Sequence, residues 1–230
     1  MTTRVSVITP TADQPTGMRY LEGFMARQTV QPDEWIVADD GLEPAVLTMG
    51  QTHIVRERVA EGAASLAGNM LTALERVTGD VVIVFEHDDH YQPDHIETCL
   101  RNLEGYKATG SVWQRYYNVE HRCWIVMRNI GSALCNTAFT ADRIPAMRAA
   151  CRAAIARNSI GLDRLFWGSL PASEKNITDT YTVTGIKGLP GRKGLGLGHR
   201  PKTSNRKWTD DPQLVKLREW VGEDVMLYDR

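Results

Sequence analysis

The sequence has no Cys-x-x-Cys pair, no apolar run near the length of a membrane span, and almost no net charge. Its four cysteines, Cys99, Cys123, Cys135 and Cys151, are scattered. That spacing excludes a zinc knuckle and a thioredoxin-type redox motif. Scattered thiols in a chain of ordinary size read as reduced, which predicts a cytoplasmic protein. The apolar stretch nearest Met1, Val5-Ser6-Val7-Ile8, is too short for the apolar region of a signal peptide. No stretch approaches the roughly 18 to 20 apolar residues of a spanning helix, so no stable membrane insertion is expected. A formal charge of −1 argues against a polyanion binder by composition. The charge is uneven, however: residues 1–150 carry 13 Lys/Arg against 19 Asp/Glu, and residues 151–230 carry 14 against 9. A charged ligand or partner on the C-terminal side is one reading of that asymmetry.

What is present is an ordinary globular composition, 42% hydrophobic over 230 residues. That suits a single domain with a core of its own. Arg4–Ile8, stopped by Thr9-Pro10, and Glu34–Ala38 read as short strands, and the continuous apolar run Val81–Phe85 predicts a buried strand in the middle of a parallel sheet. Helical spacing appears over Gly17–Arg27 and over Ala63–Val77, where Leu66, Met70, Leu71, Leu74 and Val77 share a face. His53–Val55 is a further short strand. Strands alternating with helices predict an α/β fold with a mostly parallel sheet flanked by helices. Beyond Asp94–Leu103, a helix, the pattern changes. Ser111–Val119 and Arg122–Met127 read as an antiparallel pair, a smaller antiparallel part on the acceptor side. Helices follow at Ala141–Arg157 and Leu162–Leu170, a strand at Tyr181–Ile186, and a terminal helix at Gln213–Val221. The expected division is residues 1–100, 101–186 and 187–230 within one domain.

Two of the early strands end in acid: Asp39-Asp40-Gly41, and Glu86-His87-Asp88-Asp89. A parallel sheet brings such ends to one edge, where ligands bind. Carboxylates past a buried strand need water or a cation. Mg²⁺ and Mn²⁺ take carboxylate and phosphate oxygens, the chemistry of a bound nucleoside diphosphate. A solvated acidic turn is the alternative for 86–89, and a plain Asp-Gly turn for 39–41.

The order of these segments resembles the family 2 glycosyltransferases. An opening strand with a polar turn, Val5-Ser6-Val7-Ile8-Thr9-Pro10-Thr11, precedes a helix. Gln28-Thr29 leads to a strand ending Asp39-Asp40-Gly41. Glu61-Gly62-Ala63-Ala64 leads into a helix holding Asn69. Gly79-Asp80 then precedes Val81–Phe85 and a D-x-D-like Glu86-His87-Asp88. The resemblance covers about residues 4–100 and implies a GT-A fold, a UDP-sugar or similar nucleotide-sugar donor, and Mn²⁺ or Mg²⁺. It implies Thr9, Pro10, Asp39 and Asn69 at the donor and Asp88 as the main metal ligand. Glu86 replaces the first Asp of the motif and is expected on the ribose or a metal-bound water. In the acceptor half, Gly161-Leu162-Asp163 carries Leu162 where the family often has Glu, leaving Asp163 as the candidate general base. Asp163 otherwise reads as an acid complementing a helix dipole.

From Lys187 to Lys207 there are seven Lys/Arg and no Asp or Glu, interleaved with glycine. Such a segment reads either as a solvated basic loop or as a lid over phosphate. By resemblance to GT-A enzymes that close a C-terminal loop, His199 is a further metal ligand, with Arg200 and Lys202 on phosphate. DNA carrying a hydroxymethylated base is one acceptor these cations suit. The competing readings are a metal-dependent phosphoesterase built on the histidines and aspartates of 87–95, and a sugar-nucleotide-binding module without turnover.

Overall fold

The computed structural model describes residues 3–58, 63–194, 196–203 and 205–229. Glu61 and Gly62 of the family-like segment, and Leu195 and Ser204 of the basic segment, lie outside the described residues.

In chain order the elements are β1 (Val5–Thr11), α1 (Pro15–Ala26), β2 (Glu34–Asp39), β3 (Thr52–Val55), α2 (Ala63–Leu74), β4 (Val81–Val84), β5 (Asp89–Tyr91), α3 (His95–Leu103), β6 (Ala108–Ser111), β7 (Trp113–Asn118), β8 (Cys123–Arg128), β9 (Ala138–Thr140), α4 (Ile144–Arg157), α5 (Leu162–Ser169), β10 (Lys175–Thr178), β11 (Val183–Lys187), β12 (Thr209–Asp210) and α6 (Val215–Val221). A larger sheet has the order β10-β6-β9-β4-β1-β2-β3 and a smaller one β12-β8-β7-β11-β5. In the larger sheet β1 pairs in parallel with both β2 and β4, and β9 runs against its neighbours β4 and β6. The smaller sheet is mostly antiparallel, with β7 and β11 the parallel pair.

Strand alternation explains how one sheet serves two cores. Val5 and Val7 of β1, Trp35 and Val37 of β2, and Val81 and Ile83 of β4 face one core, with α1, α3 and the smaller sheet. Ile8, Ile36, Ala38, Val82 and Val84 face the other, with α2, α4 and α5. Strands buried on both faces read as unbroken apolar runs, which is why these were visible in the sequence.

Elements lacking such a run were missed. β5, β6, β9, β10 and β12 are two to four residues long and carry no resolvable period. β1 also runs three residues past its expected end. Pro10 is tolerated there because β4 pairs only as far as Ile8, so beyond that point β1 has β2 alone as a ladder neighbour. The terminal helix starts two residues later than expected. Asp211 anchors it, its carboxylate accepting the N–H groups of Val215, Lys216 and Leu217 at 2.9, 2.9 and 3.2 Å. The four cysteines are buried and unbridged. No helix among the described residues is long and apolar enough to cross a membrane.

Candidate active site

A cavity of about 540 Å³ opens beyond the carboxyl ends of β1 and β4. Pro10, Thr11 and Ala12 form one edge, and Glu86, His87 and Asp88 form the floor. Ser65, Leu66 and Asn69 of α2 make a wall, and Leu162 and Asp163 open α5 on another side. Tyr116 and Lys187 reach in from the smaller sheet, and Arg192, Lys193 and His199 cover the mouth.

The floor is a tight turn. Phe85 extends the β4 ladder by donating to Ile8 O at 3.0 Å. The Glu86 N–H then turns to the Tyr91 hydroxyl at 2.7 Å, and the chain doubles back into β5. β11 docks on the same turn, Ile186 N–H donating to Asp88 O at 2.9 Å. That docking carries Lys187 over the acids. Its Nζ lies 2.7 Å from Asp88 Oδ2 and 2.8 Å from Asp89 Oδ1. His199 Nε2 lies 3.2 Å from the same Asp88 oxygen.

These charges sort the protonation states. Burial alone would raise the Asp88 pKa, but the Lys187 ammonium, and then the His199 hydrogen bond, outweigh it and hold the carboxyl well below its usual range. Glu86 goes the other way. Burial, then the charge of Asp89, pushes it up to about 8. Asp163 is also raised, by burial, and its Oδ1 accepts the N–H of Arg164 at 2.7 Å. Its charge reaches Glu86 across the cavity.

Asp88 and His199 suit a divalent cation. Two ligands about 2.1 Å from an octahedral ion, at a right angle, lie about 3.0 Å apart, close to the 3.2 Å between Asp88 Oδ2 and His199 Nε2. The Lys187 ammonium bridges Asp88 and Asp89, and the buried Asp89 Oδ2 has no hydrogen-bond partner. Ligand atoms of Glu86, Asp89 and Cys135 also lie within 4.8 Å of one another.

The other expected residues divide. Pro10, Asn69, Glu86, Asp88, Asp163 and His199 line the cavity. Asn69 is already engaged: its amide donates to Thr11 O at 2.8 Å and Asp40 Oδ1 at 2.9 Å, and its carbonyl accepts from Arg56 at 2.9 Å. It braces the wall and joins the end of β1 to the acidic end of β2. Thr9 does not line the cavity; it is fully buried and its hydroxyl accepts the Trp35 indole N–H at 2.9 Å. Asp39 does not line it either, because its carboxylate is taken by the N–H groups of Gly41 and Ala45, at 2.7 and 2.8 Å, closing the turn after β2. Arg200 and Lys202 are exposed and lie outside the lining; Lys187, Arg192 and Lys193 line it instead. Lys187 carried a readable signal: it is the cation at the end of a buried strand, as Glu86 is the acid at the end of another. Arg192 and Lys193 had none beyond the basic run.

The segment from Lys187 onward lies down over the cavity. Gln14 donates to Arg192 O at 2.6 Å, Arg192 N–H donates to Asp13 O at 2.9 Å, and its guanidinium reaches Ser65 at 3.1 Å. On the other side, Asn118 donates to Gly198 O at 3.0 Å. A Cβ on Gly194 would stand 2.5 Å from His199 Nε2, so a side chain there would push the imidazole off Asp88.

A sequence model of the family described as glycosyl transferase family 2 matches residues 6–153. Comparison with curated proteins finds none that matches. Among solved structures, TarS of S. aureus superposes with a TM-score of 0.53 at 13% identity, over 80% of this chain and 36% of that one. A TarS fragment, residues 1–349 in complex with UDP, gives 0.52 at 12% identity, over 80% and 60%. The mannosyltransferase PcManGT of Pyrobaculum calidifontis, in complex with GDP-Man and Mn²⁺, gives 0.53 at 15% identity, over 83% and 58%. The likeness establishes the GT-A fold, and this chain spans 36% to 60% of the length of those structures.

Proposed function

The chain belongs to glycosyl transferase family 2, and we propose that it transfers a sugar from a nucleoside-diphosphate sugar, bound with Mn²⁺ or Mg²⁺, to an acceptor hydroxyl with inversion. One observation carries this reading: the cavity has an acidic floor, Glu86 and Asp88, and a basic roof, Arg192, Lys193 and His199. A metal–diphosphate pair is the complement of that arrangement, cation down and phosphates up. Asp88 and His199 would hold the ion, whose chemistry is to offset charge on the departing diphosphate. Pro10, Ser65 and Asn69 border the donor side, with Glu86 toward the ribose.

Asp163 faces the same space from the start of α5 and would take the acceptor's proton. Its carboxyl is held above the ordinary Asp range by burial, a shift toward the basicity such a step needs. The segment 187–207 would act as a lid that excludes water from the donor. The exposed cations Arg200, Lys202, Arg206 and Lys207 remain for a polyanionic acceptor such as hydroxymethylated DNA, which belongs in any acceptor panel.

The test is release of UDP or GDP from a panel of nucleotide sugars, with Mn²⁺, Mg²⁺ or EDTA, against glycan, small-molecule and hydroxymethylated-DNA acceptors. Transfer from a nucleotide sugar that EDTA abolishes is the expected result. Release of inorganic phosphate from simple esters, with no sugar transfer, would move the protein to the phosphoesterases.

A further inference from the structure

Lys187 stands where two demands on one oxygen conflict. Asp88 Oδ2 faces His199 Nε2 at 3.2 Å, the pair fitted to a metal ion, yet it also accepts the Lys187 ammonium at 2.7 Å. The same ammonium holds Asp89 Oδ1 at 2.8 Å, and its side chain is 9% exposed. An ammonium and a divalent ion on one carboxylate oxygen repel each other in a place with little water to screen them. Resting on the metal reading of Asp88 and His199, we propose that Lys187 is a placeholder cation that opposes binding of a bare divalent ion and releases Asp88 only when a nucleoside diphosphate arrives.

The geometry provides both halves of such a device. Two anchors fix the lysine's root. β11 pairs with β7 up to Lys187↔Asn118, and a Cβ at Gly198 would meet Lys187 Cγ at 2.6 Å, so the backbone there lies close against the stem. The head is a point charge with three donors on a flexible chain. It turns from Asp88 toward phosphate while Asp89 retains it. Asp89 Oδ1, 2.8 Å from the ammonium, holds the lysine in both states, while His199 meets Asp88. The diphosphate supplies the negative charge that lets an ammonium and a divalent ion coexist. Metal and nucleotide affinity are therefore coupled through Lys187, and each raises the other's by the same factor.

Mn²⁺ binding to the full chain, followed by electron paramagnetic resonance of the free ion, tests this without turnover. Wild-type protein alone is expected to show no tight Mn²⁺ site, and to gain one with UDP or GDP. Lys187→Met is expected to bind Mn²⁺ alone about tenfold more tightly and to lose the corresponding part of the nucleotide coupling, a factor within the usual coupling range. Lys187→Gln keeps a hydrogen-bond donor to the carboxylates without the charge, and is expected to behave as Lys187→Met does. Unchanged or weaker nucleotide-free Mn²⁺ binding in the folded variants, with an intact wild-type ternary complex, overturns the placeholder role. So does a tight Mn²⁺ site in nucleotide-free wild type, a measurement that does not depend on how the variants fold. Absence of any Mn²⁺ site in wild type with either nucleotide overturns the underlying metal reading instead.

Discussion

Residues 1–100 carry 16 Asp/Glu against 6 Lys/Arg, while residues 101–230 carry 12 against 21. The acidic region supplies the floor of the cavity and the basic region its roof, so neither holds a complete site. The acidic part is regular: β1, β2, β3 and β4 are parallel, and its ligands sit where a strand ends. The basic part reaches the cavity through a mixed sheet, a strand-end lysine and an irregular segment. A regular half fixes the acids and an irregular half brings counter-charge, and Lys187 and His199 join the two at Asp88.

The comparison breaks most completely at Asp88, the acid that both Lys187 and His199 meet. Asp88→Ala is expected to abolish sugar transfer and metal-dependent donor binding while circular dichroism stays unchanged. Full turnover in that variant would remove the metal site from the floor. Next is Asp163, the acid that the basic half contributes. Asp163→Asn is expected to lower kcat about 10² to 10⁴-fold with donor affinity nearly unchanged. Because burial raises the Asp163 pKa, the acidic limb of the wild-type pH–rate profile is expected above the ordinary Asp range and absent from the residual activity. A loss confined to donor affinity would make Asp163 structural.

The roof is sharpened by contrast within one segment. Arg192→Ala with Lys193→Ala is expected to weaken UDP or GDP binding about tenfold, since each charged hydrogen bond is worth about 1.5–3 kcal/mol and part is lost to solvent. Arg200→Ala with Lys202→Ala is expected to leave it within about twofold, these side chains being outside the cavity. Titration calorimetry decides, and equal effects would dissolve the distinction between cations that line the cavity and those outside it. Hydrogen exchange over 187–207 is expected to slow with donor plus Mn²⁺; protection by DNA alone would assign the segment to the acceptor.

The smallest expected effect lies in the acidic half by itself. The Glu86 carboxyl titrates near 4.5 when unfolded and is pushed up to about 8 in the fold. Between those values the native state holds a proton that the unfolded chain has lost, so stability falls as pH rises from about 4.5 through 8. Glu86→Gln is therefore expected to raise the melting temperature of the ligand-free protein by a few degrees at pH 8, with the gain shrinking toward pH 5. A gain independent of pH would mean that Glu86 does not titrate in this window.

Much of the acidic half was legible. Val81–Val84 announces itself as a buried strand because both its faces pack, and Glu86 and Asp88 are the polar residues it delivers. The same logic put Asp39 and Thr9 at the donor, and neither lines the cavity. A strand end tells where the chain emerges but not where a carboxylate points, and these two are consumed by the turn after β2 and by Trp35. Past Lys187, which ends a strand, the basic run offered six equivalent cations, and glycine-rich backbone has no period from which to choose among them.

The sequence by itself determined the alternation of strand and helix, the two buried faces of the central strands, and the acids at the end of β4, because local period and apolar runs encode all three. The tertiary structure decided which counter-charges meet those acids. Lys187 lies 98 residues from Asp89 along the chain, and it reaches that carboxylate only because β11 docks against the turn before β5. Pairing at that distance rests on the packing of short strands that carry no period of their own, so it is settled by the assembled cores and not by any local stretch.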